Sequence, residues 1–250
     1  MNALIQLPAL DSHCHIDLYP SPAAVVARAE EAGVRTIAVT NAPRVFAHTQ
    51  GLVAGSALVR AALGLHPELV ATHGRELDRL LELLPQTRYV GEVGLDFVTR
   101  DTDNRRQQSR VFEAILGRCA EAGDKVMTVH SRRAASEVID AIGPSYPGVV
   151  ILHWFSGSVR ELTRGAAMGM YFSVNPAMTE SVSGRKLIAA MPPDRVLTET
   201  DGPFVQRAGQ AAEPSDVYGV LSYLAECWRC SAADAQARVN QTFVRAVGDF

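Results

Sequence analysis

The sequence predicts an α/β fold, a single closed (β/α)8 TIM barrel built as one domain over residues 1–250. Three observations carry that reading. Short β-branched or apolar runs recur along the whole chain and number eight, helix-like stretches separate most of them, and 250 residues is the length of one such barrel. The competing arrangement, an open doubly wound sheet, wants a glycine-rich phosphate loop after an early strand. Neither GxGxxG nor GxxxxGK followed by Ser or Thr occurs.

In chain order the strand candidates are LPALDSHCH, RTIAVT, RAALGLH, RYVGEVGLD, KVMTVH, GVVILHWF, MYFSVNP and RVLTETD. The first two are joined by SPAAVVARAEEAG, where Pro22 suits a first helical turn and Gly33 a C-terminal cap. NRRQQSRVFEAILGRCAEAG is again closed by a glycine, and the tail from Pro214 to Phe250 reads as two helices that complete the outer ring. No repeat, low-complexity segment or charged linker interrupts this order.

Hydrophobic residues make up 47% and charged residues 20% of the chain, which suits a folded protein with a sizeable core. The net charge of −3 supplies no broad basic surface, so a polyanion would have to be held locally, by metals and a few arginines. MNALIQLPAL shows no basic stretch followed by a long apolar one, so no secretory signal is expected. No run reaches the ~20 apolar residues of a membrane span. Cys14, Cys119, Cys227 and Cys230 form no framework, and a reducing, cytoplasmic setting is expected. CWRC, in the apparent helix SDVYGVLSYLAECWRC, reads as two ordinary thiols on one helical face.

Chemistry collects at the C-terminal ends of the predicted strands, the face on which barrel active sites stand. The first strand ends in DSHCHID, where period-two alternation puts His13 and His15 on one face and Cys14 on the other. His66 ends the third strand, Glu92 lies in the fourth, His130 ends the fifth, His153 the sixth, and Glu199 and Asp201 lie in the eighth. A lone strand histidine is more often a hydrogen-bonded core group than a ligand. Glu92 within VGEVG is harder to explain so simply, because a carboxylate among apolar strand residues is costly to bury unpaired. Asp201, before Gly202 and Pro203, can also be read as a turn residue. His48 and His73 fall in loop or helix without partners.

Four imidazoles (His13, His15, His130, His153) and two carboxylates (Glu92, Asp201) suit zinc, manganese or another first-row divalent ion rather than calcium. Six ligands exceed what one catalytic zinc takes, so two ions sharing a carboxylate are expected, an arrangement that acts on phosphoryl esters or amides.

DSHCHID, GLHPE, GEVGLDF, TVHSR, HWFSGS and ETDGPF, in this order, resemble the TatD-type metal-dependent DNases, a family of amidohydrolase-like barrels. Within that family, HSRRAA, HWFSGS and ETDGPF look most like members that accompany Qat anti-phage defence systems. The resemblance implies that His13, His15 and Asp201 hold one ion (Zn, Mn or Mg), that His130 and His153 hold the other, and that Glu92 bridges them. Many amidohydrolases bridge with a modified lysine after the fourth strand, and that segment here has none. Trp154 stands where many members have cysteine, and alternation turns it away from the ligand face. FVTRDTDNRR after the fourth strand also departs from the family wording.

The expected reaction is hydrolysis of a DNA phosphodiester, with Asp201 orienting or deprotonating the attacking water and Glu199 supporting a ligand histidine. His66 and Arg132 are the expected substrate contacts, and Arg133 is expected to be solvated. Phe97 and Phe155 are candidates for stacking on a base, although an aromatic on a strand is more often core. Expected partners are single-stranded DNA or strand ends and other proteins of a defence system. Three readings follow: a two-metal DNase working as a 3′ exonuclease, a small-molecule hydrolase acting on a cyclic amide or phosphotriester, and a metal-stabilised, non-catalytic subunit of a defence assembly. The ligand set counts against the last, and the missing lysine against the second.

Overall fold

The structure, a computed structural model, describes residues 7–248 and Phe250. The first six residues of the stretch read for a secretory signal lie outside the described residues.

Eight parallel strands form the barrel: β1 (Ala9–Cys14), β2 (Val34–Ala38), β3 (Val59–Ala61), β4 (Tyr89–Gly94), β5 (Val126–His130), β6 (Val149–Leu152), β7 (Tyr171–Val174) and β8 (Val196–Thr198). The ladders run β1–β2–β3 and β4 through β8 in chain order, and a parallel bridge between Leu63 and Val90 joins the two sets. Backbone bonds from Asp201 N–H to the His13 carbonyl and from His15 N–H to the Gly202 carbonyl, both 2.8 Å, close the ring between β8 and β1. The eight runs read from the sequence are therefore the eight staves.

The outer ring contains α1 (Pro22–Glu31), α2 (Pro43–Val53), α3 (Val70–His73), α4 (Leu77–Leu83), α5 (Thr102–Ala122), α6 (Ala135–Ile142), α7 (Val159–Ala167), α8 (Pro176–Glu180), α9 (Val182–Ala190), α10 (Val217–Trp228) and α11 (Ala232–Val247). Their ends follow local chemistry. Pro22 starts α1, Asp101 accepts the Asp103 and Asn104 amides at the head of α5, and Gly123 closes α5 in the left-handed conformation. Capping boxes of Ser158 with Glu161 and Ser231 with Asp234 open α7 and α11. A short exposed hairpin, β9 (Gln206–Arg207) and β10 (Gln210–Ala211), follows β8.

The two ends of the barrel are built differently. At the strand N-termini, α11 seals the floor: Gln236 and Asn240 donate to the Leu7 and Pro8 carbonyls, the latter at 2.8 Å, and Arg60 reaches the Phe250 carbonyl. Arg35 and Arg60 also stack over the Phe250 ring. Lys125 is buried there and donates to the Thr87 carbonyl at 2.9 Å.

Three expectations need adjustment. β3 and β8 are shorter than the apolar runs that announced them, so His66 caps a 3-10 turn at Pro67–Leu69 and Glu199 to Asp201 follow the end of β8. The cysteines of CWRC do not share a helical face. α10 stops at Trp228, Arg229 turns left-handed (φ 54°), and Cys230 lies beyond the cap while Cys227 is exposed. Phe155 is fully buried against Phe172, and Phe97 is half-buried against the core with the Arg105 guanidinium over its ring, outside the lining of the cleft at the barrel mouth.

Candidate metal centre

Glycine lets β4 carry a carboxylate into the barrel mouth. A Cβ on Gly91 would lie 2.1 Å from Thr128 Cγ2, and one on Gly94 (φ 138°) would lie 2.1 Å from the His130 carbonyl oxygen. The VGEVG strand thus packs flush against β5 and delivers Glu92, buried, to the axis.

Around Glu92 the histidines converge on both of its oxygens. Oε2 lies 3.2 Å from His15 Nε2 and 3.5 Å from His13 Nε2. Oε1 lies 2.6 Å from His130 Nδ1, 2.8 Å from His153 Nε2 and 3.2 Å from His66 Nε2. Asp201 Oδ1 completes the first side, 3.5 Å from His15 Nε2 and 3.6 Å from His13 Nε2. The structure therefore brings together all six residues expected to bind metal, and places His66, expected as a substrate contact, beside them. Three triplets have donor atoms close enough to hold a cation: His13–His15–Asp201, His13–Glu92–His153 and His66–Glu92–His130.

Several of these side chains are aimed from behind. His13 Nδ1 lies 2.6 Å from Thr128 Oγ1, and the His13 ring stacks on His153 at 3.8 Å. Asp96, not singled out in the sequence, stands 2.9 Å from His130 Nε2 and is itself fixed by the Gln108 side chain and the Val98 amide. Its signal was present in GEVGLDF as a second acid at the end of the same strand. Glu199 is buried, accepts from the Ser173 hydroxyl, the Asn175 amide and the Trp154 N–H, and lies 3.8 Å from His153 Nδ1. Asp11, also buried, ties β1 to β8 by accepting from both the amide and the hydroxyl of Thr200.

The electrostatics are those of a site short of positive charge. Burial, and then the charge of neighbouring His153, push His13 down to about 3. Burial opposes charge at His15 as well, but hydrogen bonds to Asp201 and Glu92 carry it up to about 10. The same opposition holds at His130, which Asp96 and Glu92 raise to about 9. Glu92 is held well below the usual carboxylate range despite its burial, by His66, His153 and its other histidine partners. Glu199 is lifted to about 7, chiefly by burial.

The donor set fits a divalent first-row cation. His13 Nε2 and His15 Nε2 face each other at 3.2 Å over two carboxylate oxygens, and His130 Nδ1 and His153 Nε2 lie 3.3 Å apart against Glu92 Oε1. Imidazole nitrogens and carboxylate oxygens pointing inward at one centre are what such an ion replaces protons to satisfy.

The centre opens into a cleft of about 600 Å³ with Asn41, His66, Arg132, Trp154 and Phe204 on its walls. Arg133, as expected, is exposed. Trp154 corrects the sequence reading, which turned it away by alternation. Its φ of 36° breaks the strand geometry directly after β6 and swings the ring onto the cleft wall. Phe204 went unnoticed because its exposure depends on the loop after β8, which has no periodicity to read. His48 is exposed on α2, and His73 lies on α3 beside Thr72, away from the centre.

A profile of TatD-related DNases matches residues 10–248. The chain belongs to that family. Among TatD relatives, an uncharacterized metal-dependent hydrolase, YjjV of Escherichia coli K12, is 32% identical over 94% of this chain and 96% of its own. A protein of Pantoea vagans named 3′-5′ ssDNA/RNA exonuclease TatD is 28% identical, over 87% and 89%. The crystal structure of E. coli YjjV superposes with a TM-score of 0.85 at 27% identity, covering 96% of this chain and 98% of that one. This TatD barrel is accordingly a metal-dependent hydrolase. No helix among the described residues is long and apolar enough to cross a membrane.

Proposed function

We propose that the chain is a two-metal nuclease that hydrolyses phosphodiester bonds of DNA, working from the 3′ end of single strands. The observation that supports this most is the division of Glu92: Oε2 faces His13 and His15, and Oε1 faces His130 and His153. On this reading His13, His15 and Asp201 would hold one ion, His130 and His153 the other, and Glu92 would serve both. The exonuclease name of the Pantoea relative supports the choice of substrate.

Two divalent cations, when bound, would lower the pKa of a water and neutralise the charge that gathers on the phosphate oxygens. The protein's own part is positioning and proton transfer. Asp201 accepts the proton of the attacking water. Its φ of 52° places the carboxylate back over β1 rather than along β8. Glu199 fixes the Trp154 backbone and lies behind His153, so that ring holds its tilt. Arg132 grips a phosphate with its fork, and His66, which lines the same cleft, contacts the same group.

The test is a divalent-metal titration (Zn, Mn, Mg) of nuclease activity on end-labelled single-stranded DNA, duplex DNA and RNA, with Asp201→Asn as control. Metal-dependent release of mononucleotides from single strands, absent in the control, is expected. Activity that needs no divalent ion would overturn the reading.

We also propose service in anti-phage defence from a reducing cytoplasm, on the wording HSRRAA, HWFSGS and ETDGPF. Equal phage plating on cells carrying wild-type and Asp201→Asn systems would sink that extension.

A further inference from the structure

Among the described residues, seven large hydrophobic side chains are exposed, and two of them line the cleft: Trp154 at 38% and Phe204 at 58%. Both are held there against cost. Trp154 occupies the left-handed region, which a bulky residue adopts only where its surroundings impose it, and its N–H is pinned to Glu199 Oε1 at 2.9 Å. Phe204 makes one aromatic contact among the described residues, a T-shaped pair with His15 at 4.9 Å and 84°. The rest of its ring, like the indole of Trp154, faces the cleft without an aromatic partner among the described residues.

Polar atoms in the same cleft are equally unspent. The Arg132 guanidinium has no hydrogen bond or ion pair among the described residues, whereas Arg28, Arg44, Arg164 and Arg207 are each bound to a carboxylate. Asn41 Oδ1 is buried with no partner. An unpaired cation, an unpaired acceptor and two open π faces around a phosphodiester-cleaving centre match one kind of guest. It carries an anion, a polar edge and a flat ring together.

We propose that Trp154 and Phe204 form a subsite for the nucleobase next to the scissile phosphate, with Arg132 on the phosphate. This rests on the nuclease reading above and names its substrate more closely. A base inside a duplex has both faces covered by its neighbours, so only a single strand or a frayed end can present one. The net charge of −3 agrees, because it offers little along which a longer duplex could be held. The subsite therefore selects unpaired ends by stacking, and every base qualifies because every base has a π face.

The test compares wild type with Trp154→Leu and Phe204→Leu, which keep apolar bulk but remove the ring. Two strands are used, one natural and one whose terminal nucleotide is abasic. On the natural strand each variant should raise KM about tenfold, the loss of one base–aromatic stack. On the abasic strand wild type and variants should coincide, and Trp154→Phe should restore most of the loss. Unchanged KM on the natural strand, or an equal loss on both strands, would overturn the subsite. Failure of the nuclease reading shows separately, as no hydrolysis of either strand by wild type. In that event fluorescence still decides, since Trp154 and Trp228 are the two tryptophans of the chain. In a Trp228→Phe protein the short natural oligonucleotide should quench Trp154, and the abasic one should not. Equal quenching or none rejects the proposal.

Discussion

The two poles of the barrel use polar side chains to opposite ends. At the floor, Gln236, Asn240, Arg60 and Lys125 each meet a backbone carbonyl, and Phe250 lies beneath two guanidinium groups. At the mouth, His13, His15, His66, His130, His153, Glu92 and Asp201 crowd against one another, and His15 Nδ1 and His153 Nδ1 have no hydrogen-bond partner. Hydrogen bonds to carbonyls are local and modest, about 1 kcal/mol each, and they fix the frame. Gathering so many buried titratable groups in one place costs the fold, and they are kept where function needs them. Of the six non-glycine residues with positive φ among the described residues, Arg133, Trp154 and Asp201 lie just beyond β5, β6 and β8 at the mouth, while Ser145 lies in the floor loop before β6.

Substitutions at the two poles should therefore separate activity from stability. Asp201→Asn is expected to have the largest effect, a loss of about 10²-fold or more in kcat with an unchanged far-ultraviolet spectrum. Retention of more than a few per cent of activity would remove Asp201 from proton transfer. Glu92→Ala should reduce the metal content measured by elemental analysis, and two ions per chain in that variant would refute the shared carboxylate. Asp96→Asn should weaken metal affinity about 10-fold to 100-fold by releasing His130, with little change in melting temperature. Asn240→Ala reverses the pattern. Leaving the Pro8 carbonyl unpaired should cost about 1–2 kcal/mol in denaturant unfolding while metal content and kcat hold. Cys227→Ser should change nothing, and lost metal or activity would return CWRC to the list of functional sites.

The barrel was legible because alternating strands and helices are a property of composition along the chain, visible without any contact. His13, His15, Glu92, His130, His153 and Asp201 were legible because position at a strand's end is also a property of the chain. What the sequence hid lies where the backbone leaves regular geometry. Trp154 obeys alternation on paper and breaks it through one dihedral angle. Phe204 belongs to a loop, and Phe97 and Phe155 took its place as candidates only because they sat near strand ends. Asp96 ends the fourth strand candidate without standing out there, since nothing local says that an acid will fold back onto His130. Arg229 stops α10 without glycine or proline, so nothing in the sequence marks that the helix ends before Cys230.

The seam between β8 and β1 has a further implication. The Asp201 and His15 amides zip the first and last staves together, and the side chains of the same residues face the same cluster. Any cation gathered there would act as a rivet across the join most distant along the chain. Ion binding and barrel closure then become linked equilibria, with free ion raising the unfolding temperature in proportion to the logarithm of its concentration. The fold would report its own loading, through heat alone, before any substrate is added.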